Sequence, residues 1–391
     1  MKLSENMTAC IDAANSWMSA RTKAKFGNDN PSARVLKRRF KPCELEDMVG
    51  VTRQAIYDAE KSGRLPQPDL KNPDSARPVR LGYTLQQVDT IRNEFNTQPY
   101  RPDGTAAITI SIAGGKGGCW KTATAAHFAQ WLGLKGFRVL VADIDPQSHL
   151  SMYFGYHPEL NTTVEDTALP FLIGEKNSLD YCVRPTAWPK IKIIPSHLQM
   201  QRIEREVIEA DISYQAHLML YAGLQAISDD YDIIIIDGHP DLGVGTTNMI
   251  AASDIVLVAT STEVNDINST CQLMTLIRDL YKDDNNLEIT HEPVVRILPT
   301  KVGDKTSSSQ QNLKDMRKFW GDMVLDNACM FTDEVGKGQR RMVTVYEQAD
   351  ASERSTPNAW KRATSSFNEL FGEILETLVK PMWGLGNNDE K

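Results

Sequence analysis

No stretch of this 391-residue chain approaches the roughly 20 consecutive apolar residues that a membrane-spanning helix needs. Met1 to Ser19 holds no unbroken apolar run either, so no export signal is expected. Cysteine is sparse. The six residues (Cys10, Cys43, Cys119, Cys182, Cys271 and Cys329) are scattered, with no C-x-x-C pair and no ligand spacing. A disulfide frame and a zinc site are therefore not expected, and a reducing cytoplasm is. What remains is ordinary globular composition, 41% hydrophobic and 24% charged, in a chain long enough for two or three domains.

Charge is unevenly spread. The net charge is −8, yet residues 1–101 carry 17 Lys and Arg against 12 Asp and Glu. A basic front end on an acidic chain suggests nucleic-acid contact, against the plainer reading of a solvated basic face. Residues 1–40 are expected to form an N-terminal helical segment. Met7, Ile11, Ala14, Met18 and Ala24 make a thin apolar stripe that would pack on a partner, including another copy of the chain. A basic cluster with two apolar anchors, Arg34 to Lys41, follows.

Residues 41–97 read as a winged helix–turn–helix. Glu44 to Met48 give a short first helix, Val49-Gly50-Val51 the turn, and Thr52 an N-cap for a second helix from Arg53 to Lys61. Ala55, Ile56 and Ala59 face inward, which leaves Arg53, Gln54, Tyr57 and Lys61 outside. Arg and Gln at the start of such a helix are the residue types that read guanine and adenine edges. Extended stretches at 66–69 and 78–83 would form a wing bearing Lys71, Arg77 and Arg80. Thr84 would cap a last helix with Leu85, Val88, Ile91 and Phe95 inside. The competing reading is a small helical domain with a charged surface. Residues 98–105 look like a linker.

Residues 106–391 alternate apolar runs with helical ones. Strands are expected at 107–113, 138–142, 191–195, 231–237, 254–259 and 294–300. The implied class is α/β, a mostly parallel sheet covered by helices on both faces. Ligands of such sheets sit at the carboxyl ends of strands. The first strand runs into Gly114-Gly115-Lys116-Gly117-Gly118-Cys119-Trp120-Lys121-Thr122 and then a helix. Strand, glycine loop, Lys-Thr, helix is the layout of a phosphate-binding P-loop. The last glycine of the usual pattern is missing, replaced by Trp120. The strand at 138–142 ends in Asp143-Ile144-Asp145-Pro146-Gln147. Asp237 closes a run of four isoleucines, the place of a Mg²⁺-linked aspartate when a P-loop is present. His239 reads most simply as a loop residue.

Lys116-Gly117-Gly118-x-x-Lys121-Thr122, Asp143-x-Asp145-Pro146-Gln147 and Asp237-x-x-Pro240 together resemble the deviant-Walker ParA/MinD ATPases, over roughly residues 107–380. The winged helix–turn–helix in front narrows the resemblance to the large plasmid partition ATPases. That resemblance implies a cofactor, ATP or ADP with Mg²⁺, and a role for each site residue. The backbone of Gly115, Gly117, Gly118, Cys119 and Trp120 would cradle phosphates. Lys121 would contact the β- and γ-phosphates and Thr122 the metal. Lys116 would reach the partner's phosphates across a nucleotide-sandwich homodimer. Asp145 would position water, with Asp143 nearby, and Asp237 would hold the metal through water. Where the family often has an Asn beside adenine, this chain has Leu298-Pro299-Thr300-Lys301, so Pro299 marks the base side.

The resemblance further implies Mg²⁺-dependent ATP hydrolysis stimulated by a ParB-type centromere-binding protein. It implies non-specific nucleoid DNA binding, operator binding that represses the partition operon, and a cytoplasmic, nucleoid-associated location. Lys337, Arg340 and Arg341, in what reads as a glycine-containing loop at 332–345, are the expected non-specific DNA contacts. Two other readings stand beside this one: a nucleotide-sensing repressor with no transport role, and a MinD-like membrane positioner. The last helix, Phe367 to Val379, decides between membrane and core. Its polar face carries Glu369, Glu373 and Glu376, which anionic lipid would repel, so core packing and no membrane contact are expected.

Overall fold

The computed structural model describes residues 3–26, 35–75, 77–203, 205–206, 216–240, 243–282, 291–303, 307–348 and 351–386; Arg34 of the basic cluster lies outside them. Helix α1 spans Leu3–Phe26. The helix–turn–helix segment supplies α2 (Pro42–Val49), α3 (Arg53–Lys61), the ribbon β1 (Leu70–Lys71) and β2 (Val79–Arg80), and α4 (Leu85–Phe95). There follow β3 (Ile108–Ala113), α5 (Lys121–Lys135), β4 (Val139–Asp143), α6 (His149–Tyr153), α7 (Leu169–Leu172), β5 (Arg184–Pro185) and β6 (Ile191–Ile194). Then come α8 (Met219–Ile227), β7 (Ile233–Asp237), α9 (Val244–Ala251), β8 (Ile255–Ser261), α10 (Val264–Leu280) and β9 (Val294–Thr300). The chain closes with α11 (Ser307–Trp320), α12 (Asp333–Arg341) and α13 (Pro357–Ile374).

Seven strands form one sheet in the order β5-β6-β4-β7-β3-β8-β9. All neighbours are parallel except the edge pair β5–β6. β5 was not expected from the sequence. It is two residues long and contains a proline, which suits an edge that need not donate a second row of hydrogen bonds. β3, β4 and β7 are buried along their whole length, as the β-branched runs predict for strands covered on both faces.

The front segment follows its sequence signals closely. Gly50 ends α2 at φ 74°, in the left-handed region where glycine carries little strain. Thr52 caps α3, its side chain accepting from the Ala55 amide at 3.3 Å. Thr84 and Gln87 form a reciprocal capping box on α4. Of the ribbon strands, paired antiparallel, β1 starts just past the expected 66–69 stretch and β2 falls within 78–83. Residues 98–105 form neither helix nor strand.

This segment does not stand apart from the sheet domain. Phe40, Leu45, Ile56, Val88 and Ile91 belong to one buried cluster that continues into β3, α5 and α13. Arg92, fully buried in α4, joins the two parts. It donates to the Met48 carbonyl at 3.0 Å, to Asp89 at 3.0 Å and to the Leu134 carbonyl in the last turn of α5. Gly136 follows at φ 103°, where an added Cβ would lie 3.0 Å from Arg92 Nη1, Gln98 Oε1 and Pro99 Cδ. Arg38, also buried, donates to the Tyr346 carbonyl at 2.7 Å and to Glu44 at 2.7 Å. Part of the basic cluster therefore holds the two parts of the chain together.

Two expectations are corrected. Residues 333–341 form helix α12, not a loop. Thr332 caps it, Asp333 and Glu334 occupy its first turn and Arg340 and Arg341 its last, which complements the helix dipole. Its glycines permit a close approach: a Cβ on Gly338 would lie 2.5 Å from the Val343 carbonyl oxygen. The last helix is also longer than expected. It runs from Pro357 and passes through a π-helical turn at Leu375–Val379. Phe367, Leu370, Phe371, Ile374, Leu375 and Leu378 are buried in the core, and Glu373 accepts from the Asp326 and Asn327 amides at 2.7 Å. Among the described residues no helix is long and apolar enough to cross a membrane.

Arg92→Met keeps much of the side-chain volume but leaves Asp89 and two buried carbonyls without their donor. We expect a loss of about 2–4 kcal/mol in urea unfolding; an unchanged unfolding midpoint would remove Arg92 as the joint.

Candidate nucleotide site

β3 delivers the glycine loop to the carboxyl edge of the sheet, between β7 and β8. The loop is packed so tightly that glycine is required at its start. A Cβ on Gly115 would lie 2.2 Å from the Ser269 carbonyl oxygen of α10. Gly118 takes φ +85°. Trp120 then occupies the left-handed region at φ 64° as the residue before α5, with no side-chain cap. The missing glycine is thereby explained in part: the backbone conformation that favours glycine is present, and a tryptophan adopts it at about 1–2 kcal/mol of strain. Its ring offsets this by packing. It stacks on Phe331 at 5.7 Å between centroids and 13° between planes, and the Lys301 ammonium lies 5.7 Å above it.

The first amides of α5 have no partner in the helix, and the dipole adds positive potential there, so this end is built for an anion. Lys121 is buried at this end, its ammonium 3.4 Å from the Lys116 carbonyl. Thr122 is half-buried on the next position. A cavity of about 370 Å³ opens here, lined by Gly118, Trp120, Lys121, Thr122, Ala123, His149, Tyr153, Lys301, Gln339 and Met342. Six non-glycine residues among those described have positive φ, and three of them, Trp120, Lys301 and Met342, line this cavity. Strain of that kind collects at functional sites.

The sheet register places Asp143 directly beside Asp237, and Ile112 at the end of β3 on Asp237's other side. Asp143 is satisfied: Oδ1 accepts from the Asp145 amide at 3.1 Å, and Oδ2 from the Ser151 amide and hydroxyl at 2.8 and 2.6 Å. Burial, and then the neighbouring Asp237 charge, push its carboxyl well above the usual range. Asp237 is fully buried and neither carboxylate oxygen has a hydrogen-bond partner. Burial raises its pKa to about 7, opposed by the Lys121 charge and by the nearby Thr122 hydroxyl, which approaches without reaching good hydrogen-bond geometry. A buried carboxylate with orphan oxygens, beside Thr122 and the P-loop, is the donor set expected to hold a hard cation with phosphate, so the residues present fit Mg²⁺. Asp145 is 6% exposed, with Oδ1 accepting from the Gln147 amide at 2.8 Å.

Lys116 stands apart from Lys121. Its side chain is half exposed, and its ammonium is 2.9 Å from Asp266 of α10. Pro299 is buried within β9 opposite Thr260 and does not line the cavity; Lys301, two residues on, does. Sequence reasoning singled out none of Asp266, Phe331 and Met342. They come from elements distant in the chain, and no local motif marks them.

The expected DNA contacts fall in two places. Arg53, Gln54, Tyr57 and Lys61 lie on the exposed side of α3, and Lys71 and Arg77 are exposed on the wing. Arg53 pairs with Glu46 at 3.0 Å and Gln54 donates to Asp58 at 2.9 Å. Arg80 differs from the expectation of an outward contact. It is bound to buried Glu60, reaches the Tyr83 hydroxyl at 3.2 Å and covers the Tyr57 ring at 4.7 Å, so it ties the wing to α3. Lys337, Arg340 and Arg341 are exposed on α12, at the i, i+3, i+4 spacing that puts them on one face.

A P-loop with two lysines, a buried strand-end aspartate and a parallel sheet define a deviant-Walker nucleotide-binding protein. A family model described as an AAA domain matches residues 107–289. Over 390 residues the chain is 42% identical to Protein SopA of Escherichia coli (strain K12), covering 98% of this chain and 99% of that one. It is 27% identical over 370 residues to the Putative replication protein A of Sinorhizobium fredii (strain NBRC 101917 / NGR234), covering 90% and 89% of the two chains. A solved structure described as Partition Protein shares the fold at a TM-score of 0.68 and 17% identity, over 98% of this chain and 100% of that one. The chain belongs to the ParA family of plasmid partition ATPases, in its SopA-like branch.

Two substitutions test the site. Trp120→Gly relieves the strained backbone but loses a buried ring, for a net loss of about 2 kcal/mol. Nucleotide affinity should stay within about threefold in a fluorescent-nucleotide titration; a large loss would make the ring itself a binding element. Asp237→Asn works through burial. The carboxyl's pKa rises on folding to about 7, so its effect favours the apo fold at low pH and is lost as pH climbs through 7. The variant should therefore melt higher than the parent at pH 8 without ligand, by on the order of 2 kcal/mol. It should also lose the extra melting shift that Mg²⁺ adds to nucleotide. A parent-like Mg²⁺ shift would remove Asp237 from the metal site.

Proposed function

We propose that the chain is an ATP-driven DNA-partition switch whose nucleotide site acts directly on a DNA-binding helix. One observation carries the reading. Gln339 and Met342, at the end of α12, line the P-loop cavity, and the same helix presents Lys337, Arg340 and Arg341 to solvent. The residues just past that end of α12 are fixed to the P-loop helix as well. His127 of α5 accepts from the Val345 amide at 3.2 Å, and Gln130 accepts from the Thr344 hydroxyl. Burial lowers the His127 pKa to about 4, so the ring stays neutral, with its other nitrogen donating to the Ala123 carbonyl at 2.6 Å.

In this reading the α5 amides, with the backbone of Gly115 to Trp120, cradle the phosphates of ATP and Lys121 meets the outer ones. Thr122, Asp145 and Asp237 would hold Mg²⁺, which supplies charge neutralisation on the phosphates. Asp145 orients the water that attacks the γ-phosphorus, giving ADP and phosphate. Lys116 reaches the second protomer's phosphates, so dimerisation senses the γ-phosphate. The dimer binds nucleoid DNA through both copies of α12. A ParB/SopB-type centromere-binding protein stimulates hydrolysis and releases it. Residues 41–97 bind the operator through Arg53, Gln54, Tyr57, Lys61, Lys71 and Arg77 and repress the partition operon, best with ADP. The chain divides as 1–40, 41–97, 98–105 and 106–391, and works in the cytoplasm on the nucleoid. The buried apolar face of the last helix leaves nothing there for a membrane to bind.

Combined Lys337→Ala, Arg340→Ala and Arg341→Ala should weaken ATP-dependent binding to random duplex and reduce the salt slope by about 2–3 per engaged protomer. Operator binding with ADP should stay within about twofold. Plasmid retention should fall with the random-DNA affinity; retention at the parent level would leave only the repressor role.

A further inference from the structure

Lys116 is held within its own chain. Its ammonium contacts Asp266 Oδ1 at 2.9 Å, while Asp266 Oδ2 accepts from the Ser261 hydroxyl at 2.5 Å. That hydroxyl also accepts from the Glu263 amide at 3.2 Å. The carboxylate is thus fixed at the first turn of α10, where its side chain is only 11% exposed against 49% for Lys116. One turn further on, the Ser269 carbonyl meets Gly115 so closely that no side chain fits. α10 therefore grips the start of the P-loop twice, once by backbone packing and once by charge.

We propose that Asp266 is a positioning residue that keeps Lys116 in its own protomer until a partner's γ-phosphate competes for it. The inference rests on the reading of Lys116 as a contact between protomers. A lysine cannot serve Asp266 and a second protomer's phosphate at once without sharing its donors. Moving it away leaves a mostly buried carboxylate with only Ser261 as side-chain partner among the described residues, which costs more than opening an exposed pair. ATP supplies a terminal phosphate to compensate, whereas ADP does not. Forming the dimer requires this exchange once in each protomer, so the threshold counts twice. Asp266 thereby sharpens the distinction between ATP and ADP without touching either nucleotide.

The test uses the full chain with Mg²⁺ and either ATP or ADP, read by light scattering after size separation. Asp266→Asn keeps the shape and removes the charge. It should lower the ATP concentration at half-maximal dimer by about threefold or more, from an ion-pair contribution near the upper end for partly exposed pairs. It should also raise the dimer fraction in ADP. Ser261→Ala, which loosens the carboxylate, should act in the same direction but less. In a Lys116→Ala background, Asp266→Asn should change nothing, which separates a hold on Lys116 from a structural role of α10. An Asp266→Asn protein that folds normally yet needs as much ATP as the parent, or more, overturns the proposal. If Lys116→Ala alone still dimerises with ATP as the parent does, the reading of Lys116 between protomers fails instead.

Discussion

Helix α5 has one end left open and the other closed, and the rest of the structure depends on that difference. At its N-terminus the amides face a loop of glycines and a cavity, with no capping side chain. At its C-terminus Arg92 takes up the Leu134 carbonyl, and Gly136 turns the chain. An anion is welcome at the first end. The second end is sealed against the helix–turn–helix segment. Between them, the flank of α5 carries His127 and Gln130, which hold the residues just beyond α12. A 15-residue helix is about 22 Å long, so a small displacement at the anion-facing end is carried to both the segment after α12 and the front segment along one rigid element.

α12 and the front segment stand in different relations to the candidate nucleotide site. α12 borders the cavity itself and is joined to α5 at both ends, by the Trp120–Phe331 stack before it and by the hydrogen bonds after it. The helix–turn–helix meets α5 at that helix's distant end, and Glu44 of α2 is joined through Arg38 to the Tyr346 carbonyl past α12. A ligand in the cavity meets α12 directly, and the front segment through the length of α5 and through the Arg38 link from Glu44 to the Tyr346 carbonyl. Two elements so differently placed can respond to different nucleotide states, as coupling requires two elements each with its own differential contacts.

Much of this was legible in the sequence where the signal was local. β-Branched runs located the central strands. Thr52 and Gly50 bounded α2 and α3, and the glycine loop with its two lysines placed the nucleotide site. What was illegible depended on distance in the chain or on competing local preferences. The glycines at 336 and 338 suggested a loop, but the Thr332 cap, the charges fitted to the helix dipole and the close Val343 contact outweigh their propensity. Arg80 looked like a free wing cation because nothing local shows that Glu60, 20 residues earlier, is buried beneath it. The partnership of Asp143 and Asp237 was invisible for the same reason, since only strand order makes neighbours of β4 and β7.

The two lysines of the loop show how burial divides labour between identical side chains. Lys121 is enclosed at the head of α5, where the helix fixes its backbone and the cavity wall fixes its direction. A charge so enclosed is confined to the cavity of its own protomer. Lys116 lies earlier in the glycine loop, half exposed and held by one carboxylate. Its long stem and partial solvation give it a reach that an enclosed lysine lacks, at the cost of leaving Asp266 behind. The glycines around it add freedom of backbone where the neighbouring helix does not forbid it. The loop thus encloses one lysine at the head of α5 and leaves the other near the surface on a single carboxylate, and the difference is set by how deeply each is buried.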